Sequence, residues 1–447
     1  MSVSVQSART TAVTLWQHPQ TRRLFAFVMG FLVLGLMTGP SGSISTPLIG
    51  VTGSFGHPRV FVFLALGVGF WLLSLANARY RERIRAANDR VLAVPKRLFP
   101  DWRVRVVIYA ALLAFAIWLP LGVNAYWQEV LVDQIGLYVL LALGLNVVVG
   151  YAGLLDLGYV AFFAIGAYST AFWTDKLPLH PPFVLNSFWS IPFDMAAAIL
   201  AGILLGAPTL RLRGDYLAIV TLGFGEIIEI VANNLNGVTG GPVGVLGIPH
   251  PDFNLFGIHY TWSIDEIPYY YILLVFVVIA VAAYHYIQES RVGRAWAAIR
   301  EDEVAAESSG INVLKYKVMA FAIGAATSGM AGMLYASKVS YLEPADFTVQ
   351  FSILILILVI FGGMGSIIGA ALGAAFLQWV PAYERVHPTL GFQIQDLYIY
   401  FGALLIIMMI FRPQGLVPSR RRRRELELAE HGVGTADAMS AGGGPIT

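Results

Sequence analysis

The sequence predicts an all-α integral membrane protein, a polytopic helical bundle of about ten to twelve transmembrane helices. Three observations carry that prediction. Of the 447 residues 57% are hydrophobic and 13% charged, against about 25% charged in an average soluble domain, and the mean hydropathy is +0.68. A hydrocarbon core about 30 Å thick asks for about 20 mostly apolar residues per helix, and such runs recur from Leu24 to Arg412. The basic residues are segregated along the chain in a way that fixes an orientation.

Apolar length and breaks place spans at 24–39, 60–77, 106–122, 130–150, 157–174, 193–209, 216–232, 269–288, 317–338, 349–363, 365–381 and 396–412. The first is read as retained, because Met1–Gln20 is polar and no A-x-A-like cleavage site follows the apolar run. Residues 1–105 form an N-terminal accessory region with two spans and an Arg-rich segment, Arg79–Arg105, suited to anionic lipid headgroups as well as to orienting the chain. A core follows at 106–417, and 418–447 is a basic, then disordered tail. Two pairs of spans are joined by tight glycine turns, Gly150–Gly158 and Gly362–Ser366, so each pair is a candidate broken crossing, and their shared pattern hints at a parallel repeat. The small residues of Ala161–Ala171 and Gly369–Ala375 read as surfaces for close helix packing.

With the N-terminus inside, all of the 29 Lys and Arg except Arg59, Lys176, Lys338 and Arg385 fall on the cytoplasmic side. Both termini are therefore expected in the cytoplasm. A single missed span would scramble that segregation, which argues for an even number of crossings.

Several chemistries are excluded. There are no cysteines, so disulfides and Cys-ligated metals are absent. No Gly precedes any lysine, so no P-loop can cradle ATP phosphates. The histidines are scattered without an H-E-x-x-H, and no cofactor or metal site is expected. Arg420–Arg424 reads as a membrane-flanking run and not as a nucleic-acid site. An enzyme is the least supported class.

The segment Ser290–Asn312, between two spans on the cytoplasmic side, is amphipathic. A helix over 294–308 places Trp296, Ile299 and Glu303 toward one side and Ala298, Asp302 and Ala305 toward another, with Gly310 positioned to end it. Trp296 and Ile299 would seat it on the protein itself, leaving the Arg and acidic residues to dock a partner. The candidate docking residues are Gly293, Arg294, Trp296, Arg300, Glu301, Asp302, Glu303, Ala305, Ala306 and Gly310.

At these residues the chain resembles a known family. Ala305-Ala306-x-x-x-Gly310 is similar to the EAA motif of ABC-importer permeases, with Val304 where that motif carries Glu. The stretch Val292–Ala306 resembles the LivM-type permeases of high-affinity branched-chain amino-acid ABC transporters. So do Gly144–Gly150, Leu210–Glu226, Thr239–Pro242, Phe361–Ser366 and Arg412–Leu416, which together cover about 130–417. The resemblance implies an ABC-importer permease fold in the bacterial inner membrane, pairing with a second homologous permease. It further implies two cytoplasmic ATPase subunits that supply the missing motor and a periplasmic amino-acid-binding protein that delivers leucine, isoleucine or valine. Urea-transporter permeases share much of the pattern, so a urea or other small-solute permease is the alternative. A self-contained proton-coupled transporter and a membrane scaffold are the competing classes.

Charges within a bilayer cost several kcal/mol unless paired or hydrated, so Glu226 and Glu229, at i and i+3 on one helix, are the candidate pathway residues, together with Asn146. Asn146 equally suits interhelical packing through its amide. Asp133, Asp156 and Asp215 lie near span ends, where a solvated cap is the default reading. Thr239, Gly240, Gly241 and Pro242 sit in an outside stretch, Asn233–Pro268, that has no Lys or Arg; it suits a binding-protein contact and a plain connector equally well.

Overall fold

The computed structural model describes residues 102–209, 215–255, 258–262, 265–386, 397–411 and 415–417. The expected spans 24–39 and 60–77, most of the Arg-rich segment, Arg211, Arg213 and the tail 418–447 lie outside these residues. Two compact units divide the described chain: 102–114 with 397–399, and 115–386 with 400–417. The site described below lies wholly in the second.

Among the described residues the helices longer than four residues are, in chain order, α1 (Trp102–Trp118), α2 (Ala125–Tyr151), α3 (Tyr159–Trp173), α4 (Ser187–Thr209), α5 (Asp215–Asn234), α6 (Glu266–Glu289), α7 (Arg291–Glu301), α8 (Glu303–Ser308), α9 (Val313–Val339), α10 (Val349–Gly362), α11 (Ile367–Val386) and α12 (Leu397–Phe411). Every expected span from 106–122 onward meets one of them, with ends shifted by a few residues. Among the described residues six helical stretches are long and apolar enough to cross a membrane: Ala125–Tyr151, Ser187–Gly206, Tyr216–Asn234, Glu266–Glu289, Val313–Val339 and Pro344–Gly362. The protein is a multi-pass, all-α membrane protein.

α9 is the centre of the second unit and packs along α3, α4 and α2. Its small residues are the reason. A Cβ on Gly329 would lie 2.8 Å from the Asp194 carbonyl and from Ala198 Cβ of α4, and one on Gly332 would lie 2.5 Å from the Ala167 nitrogen of α3. Backbones therefore touch, and van der Waals contact replaces the hydrophobic effect that drives packing in water. Phe163 of α3 stacks on Phe351 of α10 at 5.5 Å, closing the other side.

α2 starts with Asn124 accepting the Trp127 N–H at 3.1 Å and carries two wide, π-type turns, Val130–Gly136 and Asn146–Tyr151. α3 has 15 residues, about 22 Å at 1.5 Å per residue, less than a hydrocarbon core of about 30 Å. The link before it, 152–158, is not helical. Side chains from other helices take up the freed backbone donors: Leu157 N–H bonds to Thr221 Oγ1 at 3.1 Å, and Val160 N–H to Ser352 Oγ at 2.9 Å. Buried non-helical backbone is tolerated in membrane proteins only with such partners.

Among the described residues four short strands complete the unit. β1 (Val245–Leu246) pairs antiparallel with β4 (Tyr341–Leu342), and β2 (Asp252–Leu255) with β3 (Ile258–Thr261). The first pair fastens the α5–α6 connection to the α9–α10 connection.

Candidate functional site

The stretch 290–312 is ordered by its own capping chemistry. Ser290 Oγ accepts the Val292 and Gly293 N–H groups and opens α7. Asp302, with extended backbone (φ −154°), ends α7 and caps α8, its Oδ1 accepting the Val304 and Ala305 N–H groups at 2.8 and 3.0 Å. The single helix expected over 294–308 is therefore two, because the Asp302 carboxylate competes with the backbone for the same donors. At the far end Gly310 takes φ +83°. Ile311 N–H reaches back to the Ala306 carbonyl at 3.1 Å and Gly310 N–H to Glu307 at 2.9 Å, a Schellman stop.

The buried face of this pair is anchored in three ways. Trp296 is fully buried, donates Nε1–H to the Tyr316 carbonyl at 2.7 Å, and stacks on Tyr151 at the end of α2 with centroids 6.4 Å apart. Ile299, Ala306 and Val313 form a small apolar cluster with Ala298, Ile311 and Tyr316 packed around it. Lys317, buried at the start of α9, pairs with Glu303 at 2.7 Å.

Arg294, Glu301, Asp302 and Ala305 are exposed, while Ala306 and Ile299 are buried. Arg294 leans back on the Glu289 carbonyl at 3.0 Å. Gly293 is pressed against the Ile287 and Gln288 carbonyls, where a Cβ has no room. Arg300 departs from the expectation that the arginines face outward. It is half-buried and its Nη1 donates to the Gly150 carbonyl. Arg300 Cγ also lies 2.7 Å from where a Gly153 Cβ would be.

Arg300 thereby enters a junction of segments far apart in sequence. Asn146, 1% exposed, accepts the Gly365 N–H at 2.8 Å on Oδ1 and donates from Nδ2 to the Ser366 carbonyl at 3.4 Å. Its amide is committed to the α10–α11 turn, in which Gly365 takes φ +82°. Leu416 and Val417 N–H groups bond to the Phe361 and Gly362 carbonyls at 2.9 and 3.0 Å on the same turn. The motifs around Gly144–Gly150, Val292–Ala306, Phe361–Ser366 and Leu416 thus meet at one end of the unit.

The remaining candidates lie apart from that junction. Glu226 is exposed and Glu229 half-exposed on α5, among exposed Ile219, Ile227 and Ile230. Thr239–Pro242 forms a turn at the β1 side: Thr239 Oγ1 donates to the Ala232 carbonyl at 2.6 Å, and Gly240 takes φ +82°. Pro242, Val243 and Leu246 are exposed there.

Three acids differ from their sequence reading or escaped it. Asp156 is not a solvated cap; it is fully buried in the 152–158 link, accepts the Gly158 N–H at 2.9 Å, and has one oxygen without a partner among the described residues. Asp194 of α4 is also fully buried and accepts hydrogen bonds from Thr170 at 2.8 Å and Ser190 at 2.7 Å. Its signal in the sequence was an acid inside the apolar run 187–209, one turn after a serine. Asp133 is half-buried and lines a cavity of about 20 Å³ with Tyr269, Tyr335 and Lys338, and Lys338 pairs with Glu266 at 2.6 Å.

Residues 129–412 match the family described as branched-chain amino acid transport system, permease component. The chain is 39% identical over 423 residues to the high-affinity branched-chain amino acid transport system permease protein LivM of Escherichia coli, covering 90% of this chain and 96% of that protein. It is 33% identical to the Salmonella typhimurium LivM with the same coverage. A shorter likeness, 30% identity over 132 residues, relates 30% of the chain to 41% of the E. coli permease protein LivH. No solved structure matches the chain significantly.

Proposed function

We propose that this chain, which belongs to the family of branched-chain amino-acid transport permease components, is the membrane-spanning subunit of an ATP-driven importer for leucine, isoleucine and valine. The observation that carries the reading is likeness to LivM permeases along 90% of the chain, joined to a capped, amphipathic helix pair where such a subunit meets its motor. The chain has no phosphate-binding loop, so the energy comes from partners. In this reading two ATPase subunits drive the importer, and one of them docks on the exposed flank of α7 and α8, around Arg294, Glu301 and Ala305. That flank and both termini then face the cytoplasm of a bacterial inner membrane, in agreement with the segregation of Lys and Arg.

The second permease covers α5. Glu226 and Glu229 stand on an exposed, membrane-spanning flank, where lipid would cost several kcal/mol. A partner subunit with a hydrated path between the two removes that cost. The turn Thr239–Pro242, braced by the β1–β4 pair, offers a periplasmic contact for the binding protein. The substrate is tested by uptake competition in cells carrying the complete transporter. Isoleucine and valine are expected to suppress labelled leucine uptake while urea does not; suppression by urea alone would assign the chain to a urea system.

A further inference from the structure

The docking helices have to move the membrane helices, and the contact of α7 with the end of α2 offers a link. α7 touches the end of α2 at two places only a turn apart on its own surface: Trp296 against the Tyr151 ring and Arg300 on the Gly150 carbonyl. Gly150 is packed against Gly365, and a Cβ on Gly365 would lie 3.0 Å from the Gly150 carbonyl and 3.2 Å from Arg300 Nη1. Gly365 is in turn held by Asn146. One arginine side chain therefore adjoins three segments: its guanidinium meets the end of α2 and the α10–α11 turn, and its aliphatic stem meets the 152–158 link at Gly153. The carbonyl it engages lies in the wide final turn of α2, Asn146–Tyr151, where looser backbone bonding leaves acceptors for an outside donor. A planar fork of donors suits such a junction better than a single ammonium.

We infer that Arg300 is the positioning residue that passes displacement of α7 to the inner ends of α2 and of the α10–α11 turn, so that ATP hydrolysis is mechanically coupled to opening of the pathway. The inference rests on the permease reading above and adds a specific lever to it. Docking of the ATPase then depends on the outer flank of α7 and α8, and coupling depends on the inner one.

The test uses the assembled transporter in proteoliposomes with its binding protein, reading ATP hydrolysis and leucine uptake on the same samples. Failure of the unmodified complex to take up leucine would reject the permease reading itself. Given wild-type uptake, Arg300→Ala is expected to retain ATPase co-purification and hydrolysis while uptake per ATP falls about tenfold, the scale of a lost charged hydrogen bond within a coupling network. Arg300→Lys should recover part of the loss. Gly153→Ala, which drives a methyl group into the Arg300 stem, gives an independent perturbation and carries the test alone if Arg300→Ala does not assemble. The two changes together should cost less than the sum of the separate effects, because removing the Arg300 side chain removes the Cγ clash and leaves only the backbone strain of an alanine at φ +72°. Unchanged uptake per ATP in Arg300→Ala, or in Gly153→Ala where that variant stands alone, overturns the inference. So does loss of ATPase co-purification in an otherwise folded Arg300→Ala, which would make Arg300 a docking contact.

Discussion

Lys317 Nζ lies 2.7 Å from Glu303 Oε1, and the lysine side chain is 2% exposed against 29% for the glutamate. The pair ties α8, on the far side of the Asp302 break, to the second turn of α9. Removing Glu303 would strand a buried cation. Because the glutamate is partly solvated, the cost lies between those of exposed and buried pairs, about 2 kcal/mol. Glu303→Ala should lower the thermal midpoint of the detergent-purified protein and hasten proteolysis within 303–312. Adding Lys317→Met should restore both; no recovery would mean the pair is incidental.

A second prediction concerns Asp156, which is buried and accepts the Gly158 N–H. Asp156→Asn keeps that acceptor and should leave the thermal midpoint close to wild type, whereas Asp156→Leu leaves the N–H unpaired and should cost about 1–3 kcal/mol. Equal midpoints for the two variants would show that this hydrogen bond does not hold the link.

The contact of α9 with α4 makes a packing prediction. Gly329→Val places methyl groups where the Asp194 carbonyl and Ala198 already stand 2.8 Å from a Cβ, and should cost about 1–3 kcal/mol by overpacking. Gly402, where an added Cβ meets no atom within 4 Å among the described residues, is the control, and Gly402→Ala should not lower the midpoint. Equal midpoints for wild type and Gly329→Val would contradict backbone contact between α9 and α4.

Neighbouring alanines separate docking from folding. Ala306 is buried in the cluster with Ile299 and Val313, whereas Ala305 is exposed. Ala306→Asp should destabilise the helix pair. Ala305→Asp should leave stability within about 0.5 kcal/mol and yet reduce co-purification of the ATPase. Retention of the ATPase by Ala305→Asp would move the docking surface elsewhere.

The bundle was largely legible because an apolar run of membrane length permits few structures, and each run from 106 onward is a helix. Trp296 and Ile299 were also readable from helical spacing, and both are buried. What the sequence left hidden depends on tertiary approach. Nothing local to Arg300 distinguishes it from Arg294, yet one reaches Gly150 and the other faces outward. Asp302 looked like one more acid on a helix until its carboxylate was found capping the next one. Asp156 sits at the edge of an apolar run, where solvent is the ordinary neighbour, and only the packing of α5 and α10 around the link reveals its burial.

The central claim, a pore subunit that borrows its motor, is tested most directly by leucine uptake into proteoliposomes of two kinds. One holds this chain alone under a pH gradient, and the other holds the full complex with binding protein and ATP. We expect the first to be inert and the second to accumulate leucine only while ATP is hydrolysed. Accumulation by the chain alone, driven by the gradient and indifferent to ATP, would contradict the account.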